Sequence, residues 1–297
     1  MTTAPAETAR IRKFLGDDIP QYSHGDLIDF LGANPEDGYH SIGYNGLPVD
    51  LRVQHRGFDT TIIFFHGAVS PKHSYPVMSG GGVSAAAKAN RIFVSDPSLA
   101  LSGSLNLGWF LGNQQQPELQ SVIEESIRHI TNAWGKQRLV FFGSSGGGYA
   151  SLHFASRFPG SLALVANPQT VVANYHASAV ERFVKVCFGS GQRISELPAH
   201  IVKDVTQTYA KPLATHVAYM QNINDASHIA RHMRPFLRAL HPANSLTLLP
   251  GDWGPGHTPP SKDVFAKAIT AVSALPWDEA LGSLGFVPPA DCEPFRL

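Results

Sequence analysis

Arg138-Leu139-Val140-Phe141-Phe142-Gly143-Ser144-Ser145-Gly146-Gly147-Gly148-Tyr149-Ala150 is the stretch on which the fold turns. A short apolar run ends abruptly in glycines and serines. A segment then follows with Leu152, Phe154, Ala155 and Phe158 spaced to bury one helical face. The pattern predicts strand, tight turn and helix, with Ser145 at the tip of the turn. Gly143 and Gly147 flank that serine as G-x-S-x-G, the spacing of a nucleophile elbow. A serine placed there sits in strained backbone, with its hydroxyl projecting out of the sheet. Flanking glycines lack the Cβ atoms that would collide where strand and helix pass closely. The helix that begins after the serine turns its free N–H groups toward any negative charge developing there. These residue types at this spacing point to nucleophilic acyl chemistry. The competing reading is a Gly-rich turn kept for close packing.

Outward from this turn, buried-strand runs alternate with helical patterns. Thr60 to Phe65 is continuously apolar and ends in His66-Gly67-Ala68-Val69-Ser70. Arg91 to Val94 ends in Ser95-Asp96-Pro97, and Leu162 to Ala166 ends in Asn167-Pro168-Gln169-Thr170. His216 to Met220 ends in Gln221-Asn222-Ile223-Asn224-Asp225, and Ser245 to Leu249 opens into Pro250-Gly251-Asp252-Trp253-Gly254-Pro255-Gly256-His257. Helical patterns cover an alanine-rich stretch before Arg91, then Pro117 to Trp134, Ser227 to Leu240 and Ser261 to Ala274. Such alternation predicts an α/β fold with a mostly parallel central sheet, helices on both faces and right-handed crossovers. Ligands in such sheets bind at the carboxyl ends of the strands, where every polar cluster quoted above falls.

The flanks are read more coarsely. Tyr39 to Gln54 predicts one or two antiparallel edge strands. Residues 1–40 form a peripheral segment with short helical turns at Ile11 to Leu15 and Asp26 to Leu31. About 171–213 carries helical signals and no clear strand, which predicts a small helical lid inserted into a single domain spanning 1–297. The loop from Ser98 to Pro117 carries Trp109 and Phe110, expected to bind substrate. The Pro-rich C-terminus is expected to be irregular.

The bulk numbers narrow the function classes. The chain has 297 residues, 43% hydrophobic and 15% charged, enough for one large α/β domain with a substantial core. Lys plus Arg equals Asp plus Glu at 23 each, so there is no basic footprint for nucleic acid or for a charged membrane surface. The two cysteines, Cys187 and Cys292, form neither a C-x-x-C pair nor a disulfide framework. The N-terminus lacks an apolar signal region, and no run approaches the roughly 18 apolar residues of a membrane span. A soluble cytoplasmic protein is the expectation.

A serine hydroxyl becomes a useful nucleophile when a base takes its proton, and that base needs an orienting carboxylate. In chain order the strand ends offer Ser145, Asp225 and His257. Asp252, in the same loop as His257, is a rival acid, and Asp96 is a second. Asp225 is also a candidate N-cap for the helix that follows it. With His66-Gly67 after an early strand, the order of serine, acid and histidine resembles the α/β-hydrolase family from about Thr60 to Ala274. That resemblance implies Ser145 as nucleophile, His257 as base and then acid, and Asp225 holding the imidazole. It also implies an oxyanion hole from the Gly146 and Ala68 amides, and chemistry that needs no metal or organic cofactor. The implied activity is hydrolysis of a carboxylic ester through an acyl-enzyme, on a small-molecule or glycan-linked substrate. Acyl transfer or deacetylation is the alternative, and a non-catalytic binding protein on the same fold is the contrasting class. The Gly143 to Ala150, Asn167 to Thr170 and Gln221 to Asp225 segments are also similar to α/β-hydrolase-like proteins associated with bacterial polysaccharide biosynthesis.

Two further constellations compete for a role. His228 and His232 are spaced i,i+4, as helical metal ligands would be, but Ile229 stands where H-E-x-x-H requires Glu. A solvated helix face is the expected reading. Gly80-Gly81-Gly82 lacks the Lys-Ser or Lys-Thr of a phosphate-binding loop and reads as a flexible pocket rim.

Overall fold

Largely apolar runs need cover on both faces, and in this chain they form the middle of one sheet. A computed structural model describes residues 9–16 and 18–295. The strands of its sheet are β1 (Gln21–His24), β2 (Gly38–Ile42), β3 (Val49–Gln54), β4 (Thr60–Phe65), β5 (Asn90–Val94), β6 (Arg138–Ser144), β7 (Leu162–Ala166), β8 (His216–Asn222) and β9 (Ser245–Gly251). Their spatial order is β1-β2-β3-β5-β4-β6-β7-β8-β9. From β5 to β9 all neighbours are parallel, and β3 runs antiparallel to both β2 and β5.

Alternation along the central strands feeds two separate cores. Ile63, Phe65, Phe141, Ala163 and Val165 join one cluster with α1 (Leu27–Gly32), α2 (Leu119–Ala133), α3 (Gly146–Ala155), α4 (Ala177–Phe188) and α5 (Val205–Tyr209). On the other face Ile62, Phe64, Val140, Phe142, Leu162 and Leu164 join a second cluster. Between β8 and β9, α6 (Ala226–His228), a π turn (Ile229–Met233) and α7 (Arg234–Ala239) run on as one helix whose Met233 and Phe236 join the first cluster. The second cluster is covered by α8 (Lys262–Ala274) and α9 (Trp277–Ser283).

Three expectations are corrected. The alanine-rich stretch before β5 makes turns and no helix, because Ser84 bonds back to Gly80 and Arg56 takes the carbonyls of Ala87 and Ala89. Ile11 to Leu15 is not helical: Arg12 bridges Tyr75, and the Arg10 guanidinium binds the carbonyls of Ser70, Pro71, His73 and Leu105. The C-terminal region contains α9, which seals one core with Ala280 and Leu281. Residues 171–213 hold α4, α5 and two 3-10 turns with no strand, and their two ends meet where Val172 N–H bonds Lys203 and Val205 N–H bonds Thr170.

Candidate active site

Local geometry at the end of β6 follows from its glycines. A Cβ on Gly143 would run into the Gly147 carbonyl, and one on Gly147 into the Phe65 carbonyl, so strand and helix cross at backbone contact. Ser145 between them has φ 56° and ψ −119°, a left-handed conformation costly for any residue with a side chain. Its backbone is held on both sides, since Ser145 N–H donates to Ala166 at 2.9 Å and its carbonyl accepts from Tyr149 and Gln169 at 3.1 Å each.

The later strand ends deliver the partners. His257 Nε2 lies 2.9 Å from Ser145 Oγ, and His257 Nδ1 lies 2.6 Å from Asp225 Oδ2. The loop that carries His257 has no regular structure of its own and is held by Asn222 at the end of β8. The Asn222 amide donates to the carbonyls of Gly254 and Gly256 at 2.8 Å each, and its oxygen accepts from Trp253 N–H at 3.3 Å. Asn167, at the end of β7, accepts from Asn222 N–H at 2.7 Å and donates to the Thr258 carbonyl at 3.0 Å. Asn222→Ala is therefore expected to lower kcat by roughly 10- to 100-fold through misplacement of His257, with the fold kept. Steady-state kinetics beside a circular-dichroism melt would check it, and an unchanged kcat would contradict it.

The rival acids lie elsewhere. Asp252 is exposed and accepts from Asn224 Nδ2 at 2.7 Å and Gly254 N–H at 3.2 Å, which shapes its own loop. Asp96 is buried and accepts from Ser98 and Phe110 N–H, as a cap for a 3-10 turn. Asp225 fills both roles read for it, since Oδ1 caps its helix at 3.1 Å from His228 N–H while Oδ2 faces His257.

Three residues around the site take places the sequence did not signal. Gln169 is fully buried, and its Nε2 donates to Ser145 Oγ at 3.0 Å while its Oε1 accepts from Trp109 Nε1. Nothing in Asn167-Pro168-Gln169-Thr170 signals that contact. His228 and His232 are buried, at 2% and 1% exposure, so the expected solvated face is wrong. The helix turns both rings inward: His228 lies 3.1 Å from Asp225 Oδ2, and His232 Nδ1 accepts from Thr170 N–H at 3.3 Å. Burial alone would raise the Asp225 carboxyl, but hydrogen bonds from the His228 and His257 side chains and from His228 N–H outweigh it. The group is held far below the usual carboxylate range.

Trp109 and Phe110 also need correction. Both are 1% exposed with φ of 54° and 58°, and Phe110 packs edge-on against Phe65 in the core. Neither ring faces open space, and Trp109 reaches Ser145 only through Gln169. Gly80 and Gly82, at the expected rim, line a cavity together with His66, Gly67 and Ser144, and Gly80 packs on the Phe64 ring. Of the two amides named for an oxyanion hole, Gly146 opens α3 and Ala68 lies exposed after β4. Neither donates to a backbone carbonyl among the described residues. Gly67, next to Ala68, is so close that a Cβ there would stand 3.7 Å from Ser145 Cβ.

Donor atoms of Asp225, His228 and His257 lie within 4.8 Å of one another, a spacing that could hold a metal ion. Both imidazole Nδ1 atoms already face the carboxylate, so a cation there would displace the His257–Asp225 hydrogen bond. Among the described residues no helix is long and apolar enough to cross a membrane.

Several other histidines are held neutral by burial. His66 and His153 are pushed down to about 4 and His232 to about 3, with burial as the leading cause in each. An unfolded histidine binds its proton near pH 6.5, so between about 6.5 and about 4 the unfolded chain takes up more protons than the folded one. The stability tied to these groups is fully present above that window and is lost as pH falls through it. The urea midpoint is expected to drop between about pH 7.5 and about pH 4.5, and a constant midpoint would contradict the burial argument.

No family model matches the sequence, and no curated protein matches it. Among solved structures, the chain is similar to the capsule O-acetyltransferase of Neisseria meningitidis serogroup A, at 16% identity over 70% of this chain and 88% of that one, with a TM-score of 0.52. It is also similar to an S-formylglutathione hydrolase from Agrobacterium tumefaciens, at 13% identity, 83% and 94% coverage and a TM-score of 0.54. A Pyrococcus horikoshii acylaminoacyl peptidase gives 15% identity and a TM-score of 0.55, with 83% of this chain on 44% of that one. At these identities the likeness speaks to architecture, and it agrees with the strand order: the chain has the α/β-hydrolase fold.

Proposed function

We propose that this chain is a serine-dependent enzyme that cleaves a carboxylic ester through an acyl-enzyme. The observation that carries the reading is the hydrogen-bonded line from Ser145 Oγ to His257 Nε2 and from His257 Nδ1 to Asp225. Ser145 Oγ attacks the ester carbonyl while His257 Nε2 takes its proton. The developing oxyanion is met by the Gly146 and Ala68 N–H groups, with the N-terminus of α3 adding its partial positive charge. As the tetrahedral adduct collapses, His257 passes the proton to the departing alkoxide. Water then enters, gives its proton to His257, attacks the acyl carbon and releases the acid, and Ser145 recovers its proton. Asp225 stays ionised throughout and fixes which imidazole nitrogen faces the serine.

A protein that only binds has no use for a serine in strained backbone aligned with a buried carboxylate and an imidazole, which favours turnover. A second reading is transfer of the acyl group to a sugar hydroxyl in place of water. Similarity to a capsule O-acetyltransferase over 88% of that chain favours it. The two are separated by p-nitrophenyl esters of increasing acyl length, assayed with and without sugar acceptors and beside acetylated sugars. Hydrolysis predicts free acid whose rate ignores added sugar, and acylated sugar as product would favour transfer. Failure of every ester with wild-type protein would oppose both.

A further inference from the structure

Asp225 carries a second imidazole that the reaction as drawn does not use. His228 Nδ1 lies 3.2 Å from Asp225 Oδ1 and 3.1 Å from Oδ2, and the His228 ring stacks on His257 with centroids 3.7 Å apart and planes 11° from parallel. We propose that His228 is a positioning residue, a cradle that holds the Asp225 carboxylate at its edge and the His257 ring on its face. The proposal rests on the reading of Ser145, His257 and Asp225 as the reacting set.

The hydrogen-bond chemistry assigns the state of the ring. A carboxylate only accepts, so His228 Nδ1 carries the proton that faces it. Its Nε2 is buried and has no hydrogen-bond partner among the described residues. A proton there would bury an unpaired N–H and place a cation face to face with His257, at the moment when His257 itself must become charged. The balance of the groups around His228 also favours the neutral ring. Burial lowers its proton affinity, Asp225 raises it, and His257 and His176 lower it again. His232 packs at 5.0 Å and Tyr175 at 6.0 Å. His228 thus stays a neutral plate under the catalytic ring.

That plate supplies what the His257 loop lacks. The His257 side chain is 34% exposed and belongs to a loop of glycines and prolines, and among the described residues the aromatic ring stacked on it is His228. Stacking from beneath and the bond to Asp225 leave the ring one orientation. Asp225 in turn accepts from His257 Nδ1, His228 Nδ1 and His228 N–H, which fixes its plane and shares its charge.

The two duties separate in two variants. His228→Asn keeps a donor for Asp225 and removes the plate, and His228→Phe keeps the plate and removes the donor. In His228→Asn, kcat is expected to fall roughly 10- to 100-fold with KM within about twofold, because the base is misplaced and substrate contacts are not. Its acid limb of kcat/KM should stay where the wild type has it. In His228→Phe the acid limb is expected to move to higher pH, because a carboxylate with one donor fewer holds the imidazolium formed on His257 more strongly. Active sites are counted with a fluorophosphonate probe so that kcat refers to folded, labelled enzyme. Unchanged kcat per labelled site and unchanged limbs in both variants would reduce His228 to a packing residue and overturn the proposal.

Nitrogen-15 imidazole spectra of the wild-type protein give a readout that needs no substrate. His228 is expected to be neutral with Nδ1 protonated, and a cation or an Nε2–H tautomer would overturn the cradle even if esters are cleaved. A stoichiometric metal ion found in purified wild-type protein and absent from both variants would overturn it as well. Failure of wild-type Ser145 to react with the probe would instead strike the reading of the reacting set, and the spectra would still decide the role of His228.

Discussion

Ser145→Ala is expected to lower kcat by roughly ten-thousand- to a million-fold and to abolish labelling by a fluorophosphonate, while leaving the fold intact. The loss is this large because no neighbour can stand in. Oγ alone receives the Gln169 donor and faces His257 Nε2, and both contacts vanish with it. Stability is expected to hold or rise slightly, since a hydroxyl fixed for chemistry contributes little to packing. Persistent labelling of the alanine variant would remove Ser145 from the mechanism and leave the elbow as a packing turn.

The second large effect separates two acids that the sequence left open. Asp225→Asn is expected to cost about ten-thousand-fold in kcat. Asparagine offers one acceptor oxygen, and three donors converge on this position from His257 Nδ1, His228 Nδ1 and His228 N–H. At least one of them would face an NH2 group, and the His257 imidazole would lose the contact that sets its tautomer. Asp252→Asn is expected to stay within about threefold of wild type, because among the described residues that exposed side chain hydrogen-bonds to Asn224 and Gly254 and to no member of the site. Parallel kcat measurements on the two variants decide it. Loss in Asp252→Asn alone would reverse the assignment.

What was legible in the chain divides along physical lines. Strands such as Leu162–Ala166 are apolar at every position and could be read to the residue, because burial on both faces leaves no polar signal to confuse them. The edge strand Gln21–His24 has partly exposed, mixed side chains and gave no such run. Ser145, Asp225 and His257 could be picked out because each follows a recognisable strand, and chain order then sorts them. His228 and His232 could not be oriented. A spacing of i,i+4 says that two side chains share a face, but not whether that face looks to water or to a carboxylate. Here the N-cap duty of Asp225 draws the first turn of the helix against the site and turns His228 inward. Gln169 was invisible for a related reason. Its value lies in a neighbour 60 positions away in sequence, Trp109, whose N–H claims the amide oxygen and leaves the nitrogen for Ser145. Trp109 and Phe110, expected to bind substrate, are buried instead, and aromatic residues in a Gly-rich loop look the same in sequence whether they meet a ligand or fill a core.

The central claim is a covalent acyl group on Ser145. Wild-type protein mixed with p-nitrophenyl acetate, quenched in acid within the first turnover and digested, is expected to carry one acetyl group on the peptide that contains Ser145. The same peptide from Ser145→Ala should be unmodified. Release of p-nitrophenol by the wild type with no acetyl on that peptide, or with the acetyl on another residue, would contradict the account.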